Sequence, residues 1–69
     1  SPTITEDGVS LLIRLYLELK IKDYATSPRV LEQWRRISKA YARMRLEQEV
    51  SKERIWEAYN FWKECKARL

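Results

Sequence analysis

SPRVLEQWRRISKAYARMRL, residues Ser27 to Leu46, is the stretch on which the reading of the fold turns. Ser27 is suited to cap a helix by accepting from its first free amides. Pro28 then falls at the first helical position, where a missing N–H costs nothing. At 100° per residue Val30, Trp34, Ile37, Tyr41 and Met44 fall on one narrow apolar stripe. Arg29, Arg36 and Arg43 recur every seven residues and line a flank roughly 100° from that stripe. One flank packs and its neighbour presents cations.

Outward from this stretch, the chain divides at short turns. Thr5 is a suitable cap for an earlier helix, with Glu6 and Asp7 placing negative charge where the helix dipole favours it. Ile4 and Val9 stand at the two positions of a hydrophobic staple. Val9, Leu12, Ile13, Tyr16 and Leu19 form the expected inward stripe, and Leu11, Leu15 and Leu17 lie outside it. This helix is therefore apolar over more of its circumference than a surface helix needs. Either it is central to the bundle or one side expects a partner. It fades near Lys20 to Lys22, and Asp23 to Thr26 connects it to the central helix.

After a turn at Gln48 to Val50, Ser51 caps a third helix, with Val50 and Ile55 at its staple positions. Ile55, Ala58, Tyr59, Trp62 and Leu69 make its inward stripe, while Trp56 and Phe61 point elsewhere. Trp62 is expected in the core, where truncation to Ala costs about 3–5 kcal/mol. No strand-like alternation, repeat or low-complexity tract is visible, and the one glycine is Gly8. The expectation is an all-α fold, a small antiparallel three-helix bundle in a single domain spanning 1–69. Its helices are expected at about 5–21, 27–47 and 51–68.

Composition narrows the function classes. A 69-residue chain makes one small domain or a piece of a larger one, with a thin stability margin. There is no His and a single Cys, Cys65, so neither an internal disulfide nor a Cys/His metal site is available. No metal is expected. No apolar run reaches the ~20 residues that span a bilayer, and no signal peptide precedes the first helix. The expectation is an intracellular protein of cytoplasm, nucleoid or nucleus that does not meet a membrane. The charge is +4, from 14 Lys and Arg against 10 Asp and Glu, which a solvated helix surface explains by itself. The chain begins at Ser-Pro without a Met, so the sequence need not be the whole protein.

No catalytic constellation is present. The serines lack a His partner, and no Gly-rich phosphate loop exists. Glu6/Asp7 and Glu53/Glu57 read as helix-start charges and surface groups. The chain alone is not expected to be an enzyme. What remains is binding, or phosphate contact by arginine. Arg29 stands apart from the other cations, because it lies in the first turn of a capped helix beside free amides and the positive end of the dipole. Arg36 can pair with Glu32 at i,i+4. Arg35, Lys39 and Arg43 then form the more open basic surface, a weak candidate for nucleic acid.

The run SPRVLE, continued by RISKAYARMRL and then VSKERIWEAYNFW, resembles the end of the AAA+ ATPase module of minichromosome maintenance (MCM) replicative helicases. That family shows Thr or Ser, any residue, Arg, any residue, Leu and Glu, followed by a stretch that ends in a basic Met-Arg-Leu. Ser27, Arg29, Leu31, Glu32, Arg36, Ser38, Ala40, Ala42, Met44, Arg45 and Leu46 fit without a gap. Val50, Ile55 and Ala58 match the next helix, and ITEDGVSLLIRLYLELK resembles the helix before. The resemblance covers essentially the whole chain.

It implies a helical lid that follows an absent nucleotide-binding core, with ATP and Mg2+ held only by the full ATPase. It implies that Arg29 is the sensor 2 arginine, reaching the ATP γ-phosphate from a neighbouring subunit of a hexameric ring. Glu32 and Arg36 would be supporting residues. The implied partners are the core of the same protein, adjacent subunits and, through the full helicase, DNA. Arg35, Lys39 and Arg54 depart from the family pattern by making the surface more basic, and Trp34 and Trp56 are bulkier than usual. The competing reading is a stand-alone basic three-helix module that binds nucleic acid or protein. Against nucleic acid, Glu53, Glu57 and Glu64 lie on the helix that would enter the groove.

Overall fold

The computed structural model describes residues 2–68. In chain order it has β1 (Thr3–Ile4), α1 (Glu6–Lys22), α2 (Arg29–Met44), β2 (Glu49–Val50) and α3 (Lys52–Ala67). Three helices carry the fold. The two strands, unexpected from the sequence, pair in parallel with Thr3 opposite Glu49 and Ile4 opposite Val50. Two β-branched residues before one helix cap and a Val before the next provide the local preference. The pairing itself depends on the fold bringing both helix starts together.

That pairing continues into the start of α1. The Thr5 amide donates to the Val50 carbonyl at 3.0 Å. Thr5 Oγ1 accepts from the Gly8 amide at 3.2 Å, so Thr5 is the expected cap. The same hydroxyl donates to Asp7 Oδ1 at 2.5 Å, which holds the Asp7 carboxyl below its ordinary value of 3.8. At the other end of α1, Lys20 Nζ donates to the carbonyls of Tyr24 and Thr26, each at 2.9 Å, and braces the α1–α2 connection.

The buried face of α1 is only in part the expected stripe: Leu12 is in the core and Tyr16 and Leu19 pack against it, but Val9 and Ile13 do not. Gly8, Leu11, Leu12 and Leu15 are buried, while Val9 and Ile13 are 42% and 51% exposed. The inward face is rotated so that it passes through Gly8. A Cβ there would lie 2.9 Å from Ile4 Cγ2 and 3.2 Å from the Val50 carbonyl oxygen. The bare backbone of Gly8 is what lets α1 close on the strand pair, and an apolar tally does not count a missing side chain.

A similar rotation occurs in α2. Its buried residues are Trp34, Ser38 and Ala42, and Met44 is 76% exposed. Ser38 Oγ donates to the Arg35 carbonyl at 2.9 Å, so its hydroxyl is satisfied within the helix. Small residues occupy the line of closest approach, and Val30, Ile37 and Tyr41 lie half-buried at its edge. Trp34 belongs to both descriptions and is fully buried. Its ring meets Tyr59 and Trp62 edge-on, with centroids 5.3 and 5.4 Å apart. Trp62, expected in the core, is half-buried and donates its indole N–H to Gln33 Oε1 at 2.9 Å.

Helix α2 ends earlier than expected. Leu46 has a φ of 58°, its amide donates to the Arg43 carbonyl, and the Glu47 amide donates to the Ala42 carbonyl at 2.9 Å. These two bonds make a Schellman stop. On α3, Ile55 and Ala58 are fully buried and Trp56 and Phe61 stand partly exposed. Leu69, assigned to the inward stripe of α3, lies outside the described residues. Arg54 is not on an open basic surface: its side chain is 16% exposed and pairs with Glu57 and, at 3.4 Å, Glu47. Glu57 also receives Arg45 at 2.9 Å. Glu57 is thus a joint between the end of α2 and the start of α3 rather than an ordinary surface acid.

Candidate functional site

The start of α2 carries the residue singled out by sequence. Ser27 Oγ accepts from the Arg29 amide at 3.2 Å, the Val30 amide donates to the Ser27 carbonyl, and the Leu31 amide donates to the Pro28 carbonyl. Three of the amides expected to be free are therefore already used. The helix itself begins at Arg29, after Pro28. An anion at this end meets the dipole and the Arg29 guanidinium, not a ring of open N–H groups.

The arginines differ in their surroundings. Glu32 sits one turn on and pairs with Arg35 at 3.6 Å and Arg36 at 3.7 Å. All three side chains are well exposed, so each pair contributes little to stability. Their effect is on charge placement, because the nearest acid in sequence is turned toward Arg35 and Arg36. Arg29 is exposed and has no ion-pair partner among the described residues. Arg29 is the uncompensated cation at the helix start.

The other basic residues do not form one open surface. Arg35 and Lys39 line a groove between β1, α1 and α2, together with Ile4, Val9, Ile13 and Leu31. Lys39 is half-buried there. Arg43 is exposed and does not line that groove. Arg36, besides meeting Glu32, borders a second groove between α2 and α3 beside Ile37 and Trp62. Among the described residues, no group of three or more His, Cys, Asp or Glu is placed to hold a metal.

Sequence reasoning missed the first groove, because its wall forms where Pro2 to Ile4 close on α1 and α2, residues far apart along the chain. The signal was β-branched residues just before two helix starts, Thr3 and Ile4 before Thr5 and Val50 before Ser51, which the fold joins. It also missed the Arg45–Glu57–Arg54–Glu47 cluster, whose members are distant along the chain. No helix is long and apolar enough to cross a membrane.

The chemistry available here is that of one exposed guanidinium carried by the first residue of a helix, with no base, nucleophile or phosphate loop beside it among the described residues. No curated protein and no solved structure matches the chain. Residues 1–66 match the family model described as the MCM AAA-lid domain.

Proposed function

From the premise that this chain belongs to the MCM AAA-lid family and is part of an MCM AAA+ module, we propose that it is the helical lid of an ATP-dependent replicative DNA helicase, with Arg29 as its sensor 2 arginine. Arg29 approaches the γ-phosphate of ATP bound on a neighbouring subunit of a hexameric ring. ATP and Mg2+ are held by the full ATPase, and the isolated chain hydrolyses nothing. The work is done inside the cell, in the cytoplasm, nucleoid or nucleus, and DNA is met through the assembled helicase.

The observation that supports this reading is the contrast among the α2 arginines. Glu32 engages Arg35 and Arg36, while Arg29 and Arg43 are exposed without an acid among the described residues, and of these two Arg29 is the one at the helix start. A guanidinium fixed by a capped helix start stabilises charge spreading over a transferring phosphoryl group with little reorganisation. Glu32 and Arg36 support it indirectly, since a carboxylate kept one turn away does not compete with phosphate.

The test is turnover in the full protein. Arg29→Ala is expected to lower ATPase turnover about 100-fold, the size expected for one preorganised charge donor, with the helical content unchanged. Arg29→Lys is expected to recover only part of it, because a point charge lacks the planar fork. Unchanged turnover in Arg29→Ala removes the sensor assignment. Mixing excess Arg29→Ala subunits into wild-type rings tests the action across subunits; activity that falls only by dilution argues against it. For the isolated chain, tight binding to duplex DNA at physiological salt would favour a stand-alone nucleic-acid module instead.

A further inference from the structure

The amides of Arg29, Val30 and Leu31 are engaged within the chain, so an anion at the start of α2 gains more from side-chain donors. Gln33 stands four residues beyond Arg29 and shares its helix face, one turn away. Long helical side chains lean toward the helix N-terminus, which lays Gln33 over the turn that begins at Arg29. Gln33 is exposed, yet its amide is tied to another helix: Trp62 of α3 donates its indole N–H to Gln33 Oε1 at 2.9 Å.

An indole nitrogen only donates, so it fixes which end of the amide turns inward. The oxygen faces Trp62, and the NH2 group is turned away from it. Those two N–H donors meet no acceptor among the described residues. Trp62 is itself held, edge-on to the fully buried Trp34 at 5.4 Å and with Lys66 Nζ 4.9 Å over its ring. The surroundings are cationic: Gln33 lines the groove between α2 and α3 with Arg36 and Lys66, and no carboxylate among the described residues lines it. Glu32, the adjacent acid, is turned to Arg35 and Arg36. An NH2 without an acceptor, set among cations, suits an anion rich in oxygen.

We infer that Gln33 is a second donor to the γ-phosphate that Arg29 meets, held in orientation by Trp62. This rests on the sensor reading of Arg29 and deepens it. A terminal phosphate offers three acceptor oxygens, more than one guanidinium fork engages. The guanidinium supplies charge from the first turn of α2, and the amide adds a neutral N–H to another oxygen of the same group. Trp62 touches no phosphate and is a positioning residue. Its N–H keeps the amide from turning over and presenting its own oxygen to the anion.

The experiment reads ATPase turnover and nucleotide affinity in the full protein. Gln33→Met keeps the length of the side chain and removes its donors, and turnover is expected to fall about tenfold, the size of one lost hydrogen bond to a charged group. Gln33→Glu keeps an acceptor for Trp62 but puts a carboxylate oxygen where the NH2 was. It is expected to fall further, with weaker ATP binding and unchanged ADP binding. Trp62→Phe keeps an aromatic ring without the N–H; it is expected to lose a few-fold in the wild type and nothing in the Gln33→Met background. Helical content by circular dichroism is read for each variant, and Gln33→Glu decides alone if Gln33→Met loses helix. Unchanged turnover in Gln33→Met, with Arg29→Ala impaired, overturns the proposal and leaves the sensor reading standing. Unchanged turnover in Arg29→Ala removes both. Gln33→Glu as active as the wild type overturns it too, since the link to Trp62 would then be all that Gln33 supplies. ATP and ADP affinities that fall together also overturn it, and an equal loss from Trp62→Phe in both backgrounds overturns the positioning by Trp62.

Discussion

Leu46 occupies the left-handed region with a φ of 58° and is 91% exposed. Its conformation is imposed by the α2 stop, in which Leu46 and Glu47 return hydrogen bonds to Arg43 and Ala42. A β-carbon in that region is disfavoured by roughly 1–2 kcal/mol, part of which glycine gives back through its greater freedom in the unfolded chain. Leu46→Gly is therefore expected to stabilise the chain by about 0.5–1 kcal/mol, seen as a higher urea midpoint with an unchanged slope. The side chain itself buries almost nothing, so little packing is lost. At the same scale, Arg29 is distinguished by position: of the heptad it shares with Arg36 and Arg43, Glu32 engages Arg36, and of the other two Arg29 alone stands at the helix start.

At the scale of elements, the junction of β1, α1 and β2 depends on one missing side chain. Gly8 sits in the first turns of α1, where alanine favours the helix by about 1 kcal/mol. The added methyl would meet Ile4 Cγ2 at 2.9 Å and the Val50 carbonyl at 3.2 Å, and the second contact is backbone held by the strand pair. The clash prevails, and Gly8→Ala is expected to destabilise by about 1–2 kcal/mol in thermal or urea unfolding. If instead the variant is more stable, the strand pair is looser than described. The α2–α3 junction uses charge in place of close packing: Glu57 takes both Arg45 and Arg54. Removing Glu57 alone would leave Arg45 without its acid and Arg54 with Glu47 as its remaining one.

For the whole molecule, a core built from three short helices leaves little reserve. Trp34 is its centre, fully buried and edge-on to two rings of α3. Trp34→Ala is expected to cost about 3–5 kcal/mol, comparable with the total stability of so small a domain, and to leave the chain largely unfolded by circular dichroism. Trp62→Ala is expected to cost about 2 kcal/mol, because a half-buried ring surrenders less area. Equal losses at the two positions would place Trp62 in the core after all.

Three helices, the caps at Thr5 and Ser51, and the family were legible in the residues, because helical periodicity is local and because Ser27 to Leu46 carries an ungapped pattern; Pro28, expected inside α2, is instead its N-cap, and Ser51 caps by position without a side-chain hydrogen bond. Which face of each helix turns inward was not legible. On α1 and α2 the hydrophobic stripes run wider than the buried face, and the choice within them was made by small residues, Gly8, Ser38 and Ala42, that permit close approach. The same holds for the parallel strand pair, the Glu57 cluster and the amides consumed around Arg29. Sequence determined which segments are helical and where cations lie; only tertiary structure decided which apolar residues are covered and which arginines meet an acid. Contacts between residues distant in the chain set both, and no local periodicity encodes them.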